Sequence, residues 1–133
     1  MELAISIIAL VVSLIAIFNE RTSLHDQAYD KFSQLWFGMD QVFIDYPRMH
    51  KYFYKENGVY TDLDENNKDF ELGICIAEKF CDVFQYTAPL EKYLKRTDRE
   101  SYVQYKEMVL SSPIVIKSHD YTSHSQHPLW KHN

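Results

Sequence analysis

The chain has 133 residues, 46% of them hydrophobic, and a formal net charge of −5. That length holds one compact domain beside a terminal segment, and not two domains. The acidic balance disfavours nucleic acid and offers no polybasic patch to anionic lipid, while three glycines and four prolines leave little room for a many-turned β fold.

The run Leu3 to Phe18 (LAISIIALVVSLIAIF) is sixteen uncharged residues, eleven of them Leu, Ile, Val or Phe. As a helix it spans about 24 Å, against about 30 Å for a bilayer's hydrocarbon core. Met1 and Glu2, with slight bilayer thinning, close that gap. At about −0.3 to −0.6 kcal/mol for each large apolar residue, the run favours lipid by about 5 kcal/mol. It is apolar all round, unlike a helix lying flat at an interface. A buried core helix is the competing assignment for a run of this length. A cleaved signal peptide fits poorly, since no basic residue precedes the run and Ile17-Phe18-Asn19 after Ala16 is not a small-x-small site. The first helix is therefore read as a single transmembrane anchor over residues 1–20, in contact with membrane lipid.

Within it, Ser6, Ala9, Ser13 and Ala16 recur at spacings of three, four and three, a small-residue stripe suited to membrane helix packing. Arg21 and Lys31 follow the run, so the positive-inside tendency places the C-terminal domain in the cytoplasm. Cys75 and Cys81, six apart on a helix, point to different faces and suit reduced thiols in a reducing compartment.

Helical periodicity continues through residues 21–118. Leu24, Ala28, Phe32, Leu35, Trp36, Met39, Val42, Phe43 and Tyr46 share one face over six turns. Ser23 with Asp26 is positioned to cap a fresh helix, but no Gly or Pro intervenes before Gly38, so one long helix running out of the anchor is preferred. Pro47 starts a short second helix over Arg48 to Lys55, ended by Gly58. Val59 to Lys68 is a polar acidic loop. Phe70, Ile74, Ala77, Phe80, Cys81, Phe84 and Ala88 then mark a third helix from about Asn67, with Pro89 kinking it or opening the next segment. Thr97 with Glu100 forms a capping box for a fourth helix carrying Tyr102, Tyr105, Val109 and Leu110. Ser112-Pro113 restarts a turn of helix, and residues 119–133 read as an irregular tail. The fold class expected is all-α, a single transmembrane helix followed by a small antiparallel helical bundle.

Ten Tyr, eight Phe and two Trp crowd this small domain. Big side chains fill a thin bundle, but Tyr and Trp also dominate binding hot spots. Trp36, Tyr52, Phe53 and Tyr54 are the partner-binding candidates, because three adjacent rings on one helix cannot all face one core.

Catalytic and metal signals are poor. His124-x-x-His127 has chelate spacing in a tail without cysteine, and a solvated tail is the preferred reading. His25-Asp26 and His119-Asp120 resemble metal phosphohydrolase ligands but lack the further His and Asp that such chemistry needs. Arg21 and His25 are too closely spaced for the Arg-x4–6-His ribonuclease pattern. Glu71, Glu78 and Asp82 share a helix stripe beside Lys68 and Lys79, which fits a solvated charged face better than an acid/base pair. With no phosphate loop and no nucleophile elbow, neither an enzyme nor a cofactor is expected.

The anchor, Phe43-Ile-Asp-Tyr-Pro47 leading into Tyr52-Phe-Tyr54, and Leu110-Ser-Ser-Pro113 together resemble a loose group of uncharacterised bacterial single-pass membrane proteins. Its members join a short N-terminal anchor to a small helical cytosolic domain. The resemblance implies an inner-membrane topology and no activity; the His-rich terminus does not carry over to the group. The function expected is a non-enzymatic, membrane-anchored protein that binds a protein partner or self-associates as a homo-oligomer. A metal-binding sensor using the tail and a membrane-tethered hydrolase are the competing classes.

Overall fold

Helix α1 (Glu2–Asp45) runs unbroken for 44 residues, about 66 Å at the α-helical rise. The computed structural model describes residues 1–124, which form helices and connecting turns without a strand. Ser23 does not start a new helix; its hydroxyl accepts a bond from Gln27 Nε2 at 3.1 Å on the surface of a helix already formed. The one-helix reading holds.

Residues 1–23 are all exposed, and none of the most apolar 18-residue stretch of α1 is buried. Within this stretch, Ser6 and Ser13 turn their hydroxyls back onto the Glu2 and Ala9 carbonyls, at 2.9 and 2.8 Å, which satisfies both polar groups inside the helix. The alternative of a core helix is excluded by that exposure. Beyond residue 23 the same helix turns one face inward: Ala28, Phe32 and Met39 are buried, with Leu35, Trp36, Val42 and Phe43 packed around them.

Pro47 starts the next segment as expected, although the first turn (Pro47–Met49) is 3₁₀ and the α-helical part, α2 (His50–Phe53), lasts four residues. Tyr54 is extended, so the helix stops before Lys55. Gly58 belongs to a two-residue turn with Asn57: both have positive φ (52° for Asn57, 78° for Gly58), and Glu56 and Val59 exchange backbone hydrogen bonds across them. This is the Asn-Gly arrangement that a tight hairpin turn requires.

In the acidic loop that follows, Val59 is exposed while Leu63 is fully buried. Leu63 lies where α3 (Phe70–Thr87) and α5 (Pro113–His124) meet, and Gly73 on α3 makes the approach possible. A methyl group added there would stand 2.6 Å from Leu63 Cδ2 and 3.3 Å from Ile114. Arg48 holds the start of α3 through two bonds to Asp69, at 3.0 and 3.1 Å, and those hydrogen bonds, then the positive charge behind them, keep the Asp69 carboxyl below the usual range.

Pro89 opens a 3₁₀ segment (Ala88–Tyr93) rather than kinking α3. Helix α4 (Arg96–Leu110) begins after the extended Lys95 and has no side-chain cap, so the expected Thr97–Glu100 capping box does not form. Thr97 is already inside the helix, and Glu100 pairs with Arg96 at 3.0 Å. The break is held instead by Arg99, whose guanidinium donates to the carbonyls of Glu91, Lys92 and Leu94 at 3.0, 2.8 and 3.1 Å. Helix α5 continues to His124, well past the expected end of regular structure near Lys117. Buried Ser118 and a Tyr121–Phe70 ring contact at 6.0 Å hold the extension against the fold.

The core sits between the second half of α1, α2, α3 and α5. Phe80 is its centre, fully buried, with the rings of Phe53, Phe43, Phe84 and Trp36 at 5.4, 5.9, 6.0 and 6.4 Å.

Candidate functional site

One face of α1 remains open beyond this core. Tyr29, Ser33, Trp36, Asp40 and Ile44 follow one another at intervals of four, three, four and four, a single stripe along four helical turns. On α4, Asp98, Ser101, Tyr102 and Tyr105 form a matching stripe. The two stripes wall a cleft of about 710 Å³, closed at one end by His50 and Tyr54 and at its side by Phe32, Phe43 and Leu94. That volume lies within the ordinary range for binding pockets.

The cleft is lined mainly by aromatic rings locked against one another. Trp36 stands edge-on to Tyr105 at 4.6 Å and contacts Tyr102 at 6.1 Å; Phe32 stands edge-on to Tyr102 at 4.8 Å. The Tyr102 hydroxyl donates to Thr87 Oγ1 at 2.7 Å, while Thr87 passes its own proton to the Val83 carbonyl at 2.8 Å. The hydroxyls of Tyr54 and Tyr105 hydrogen-bond to each other, and the Tyr54 ring stacks on His50 at 4.4 Å. The rings of Phe32, Trp36, Tyr54, Tyr102 and Tyr105 are therefore held by their neighbours before any ligand arrives, which lowers the ordering cost of binding.

No protein-family model matches the chain, and no curated protein or solved structure matches it either.

Of the four sequence-based candidates, Trp36 and Tyr54 line the cleft, whereas Tyr52 (7% exposed) and Phe53 (0%) are core. The expectation that one of the three adjacent rings is exposed fails, because the chain leaves the helix after Phe53. An extended residue does not follow the 100° helical turn, and Tyr54 comes back to the same side, half-buried. In the sequence Phe32, Phe43, Tyr102 and Tyr105 read only as helix-face residues, and no motif singles out Asp40 or Asp98. Their local signal is the four-three spacing on α1 and α4; that the two stripes face each other is not local.

The other candidates are placed apart from the cleft. Ser6, Ala9, Ser13 and Ala16 lie exposed on the first half of α1. His124 ends α5, and His127 lies outside the described residues. Among the described residues no group of three or more His, Cys, Asp or Glu side chains is placed to hold a metal. His25 hydrogen-bonds through Nδ1 to the Tyr93 carbonyl, tying α1 to the segment before α4. Glu71 and Asp82 are exposed and Glu78 half-buried, so the acidic stripe faces solvent. Both cysteines are free; burial, then Asp82 and Glu78, push the Cys81 thiol up, away from a reactive thiolate.

Three phenols of the cleft, Tyr54, Tyr102 and Tyr105, titrate high. Burial raises Tyr105 most, helped by its bond to Tyr54 and by Asp40, and burial also raises Tyr54, with the bond to Tyr105 acting against it. Burial likewise raises Tyr102. A phenol whose pKa is raised on folding stays protonated in the native state while the unfolded chain ionises near pH 10. The unfolded state then binds fewer protons, and stability falls as pH climbs above about 10. Thermal unfolding measured between pH 8 and 11.5 should show a steep loss above pH 10, at about 1.4 kcal/mol per pH unit for each phenol still protonated. Tyr105→Phe should make that limb shallower, and an unchanged limb would contradict the burial of this phenol.

Proposed function

We propose that this protein is a single-pass membrane protein whose helical domain faces the cytoplasm and binds a protein partner in the cleft between α1 and α4. The observation that carries the reading is the division of α1 itself. Its first half exposes Leu3, Ile5, Ile8, Leu10 and Phe18 at 60% or more, and none of its most apolar 18-residue stretch, mean hydropathy 2.3, is buried. A contiguous apolar surface of that size has no stable place in water, and lipid is the solvent that matches it. Arg21 and Lys31 just beyond the run support the cytoplasmic side.

The second half of the same helix supplies a wall of the cleft. Anchor and recognition surface are thus one rigid rod, and Tyr29 stands 11 residues, about 16 Å, beyond Phe18. A tether of this kind raises the local concentration of whatever binds without adding any contact. Binding is favoured over catalysis because the cleft presents fixed rings and two carboxylates on separate helices, with no nucleophile activated by a base.

The test uses the full-length chain in intact membranes. It should resist alkaline carbonate extraction, and a photo-crosslinking side chain at Ser101, on the cleft wall, should give a discrete protein adduct. The same group at exposed Gln104, outside the cleft, should not. An adduct at twice the 15.8 kDa chain mass would identify the partner as a second copy. Release by carbonate, or equal labelling from both positions, overturns the proposal.

A further inference from the structure

The cleft is short of positive charge in a way the rest of the domain is not. Elsewhere the chain seats its own cations over tyrosine rings: Lys31 over Tyr86, Arg48 over Tyr46, Lys51 over Tyr52, Lys55 over Tyr60 and Lys92 over Tyr93, all within 5.7 Å. Among the described residues no Lys or Arg lines the cleft, and none stands over Trp36, Tyr54 or Tyr105. Lys106 approaches Tyr102 at 5.9 Å but is held by Glu91 at 3.0 Å. Asp40 and Asp98, on opposite walls, have no ion pair among the described residues.

Resting on the partner-binding reading above, we propose that the occupant is a cationic amphipathic helix of a protein partner, its apolar stripe seated on the rings and its Arg or Lys side chains reaching Asp40 and Asp98. The length of the cleft selects this occupant. From Tyr29 to Ile44 the α1 wall covers 16 residues, a rise of about 22 Å, or four helical turns. A small ammonium ion would cover one end and leave the remaining rings wet. A partner helix laid between two helical walls meets residues spaced at four and three with its own i, i+4, i+7 stripe. Its cations would gain carboxylate partners at both edges and ring faces between them. A lipid headgroup is the wrong source of positive charge, since the cleft starts about 16 Å beyond the anchor. A second copy is disfavoured by the net charge of −5, which makes two domains repel.

The experiment titrates the full chain in zwitterionic nanodiscs, with Trp130→Phe leaving Trp36 as the sole indole of the two in the sequence. The probes are three synthetic 15-residue amphipathic peptides with the same leucine stripe and Arg, Gln or Glu at its flanks, with empty nanodiscs as the blank. The Arg peptide should saturate the Trp36 signal. The Gln peptide should bind about tenfold more weakly and the Glu peptide more weakly still, and Asp40→Asn and Asp98→Asn should each cost the Arg peptide about tenfold. Equal binding of the Arg and Gln peptides overturns the inference. So does saturation by tetramethylammonium or free arginine at the peptide's concentration, or a concentration-dependent dimer that the peptide cannot displace. If the peptides fail while the Ser101 cross-link to a partner persists, this inference falls and the partner-binding reading stands.

Discussion

Replacing Phe80 with Ala should cost about 3–5 kcal/mol, the largest loss expected from any single truncation in the domain. Phe80 is fully buried and four rings meet it: Phe53 from α2, Phe43 and Trp36 from α1, and Phe84 one turn away on α3. Removing the ring deletes the transfer energy of six aromatic carbons and leaves a hole bordered by three elements that cannot close on it together. A domain of this size has about 5–15 kcal/mol in total, so most of its margin goes. Two of the four rings, Trp36 and Phe43, also form cleft walls, and the substitution should loosen the cleft before it unfolds the protein. Chemical denaturation in detergent micelles, followed by far-UV circular dichroism, measures the first effect, and Trp36 emission the second. A loss below about 1 kcal/mol would mean that these rings do not share one core.

The chain announces some of this architecture and conceals the rest for identifiable reasons. The inward face of α1 is legible because Ala28, Phe32 and Met39 obey a helical period within one element, and the absence of Gly or Pro before Gly38 makes the unbroken rod readable too. Pro47 and Pro89 mark starts because their geometry is local. What fails is wherever a distant residue decides. Arg99 stabilises the break before α4 by reaching back to three carbonyls, and no local capping pattern encodes that. Tyr121 extends α5 by finding Phe70, some fifty positions away. The triplet Tyr52-Phe53-Tyr54 is misread because a helical turn is assumed for all three, when an extended Tyr54 brings its ring back to bond Tyr105. Trp36 and Tyr54 were found as ring-rich positions, but the cleft itself depends on α4 lying opposite α1, a relation that no spacing within either helix contains.

Substituting Leu10 and Ile15 together with Arg should release the protein from the membrane, the second of the large effects. Each lies within the sixteen-residue run and is exposed, at 60% and 54%, so neither change disturbs packing within the domain. Each removes about 0.5 kcal/mol of favourable insertion and adds about 3 kcal/mol for a cation near the helix centre. The pair therefore shifts insertion by about 7 kcal/mol, against the roughly 5 kcal/mol that favours the native run. The sign of the balance reverses. A single Leu10→Arg leaves it near neutral, where snorkelling and local thinning decide the outcome. Fractionation with carbonate extraction should therefore grade the series, with the native chain in the pellet, the single variant divided and the double variant in the supernatant. The supernatant protein should keep the native melting transition of the domain, because residues 1–23 are exposed and contribute nothing to its core. A double variant that stays in the pellet with an intact fold would show that something other than the opening helix holds this protein at the membrane.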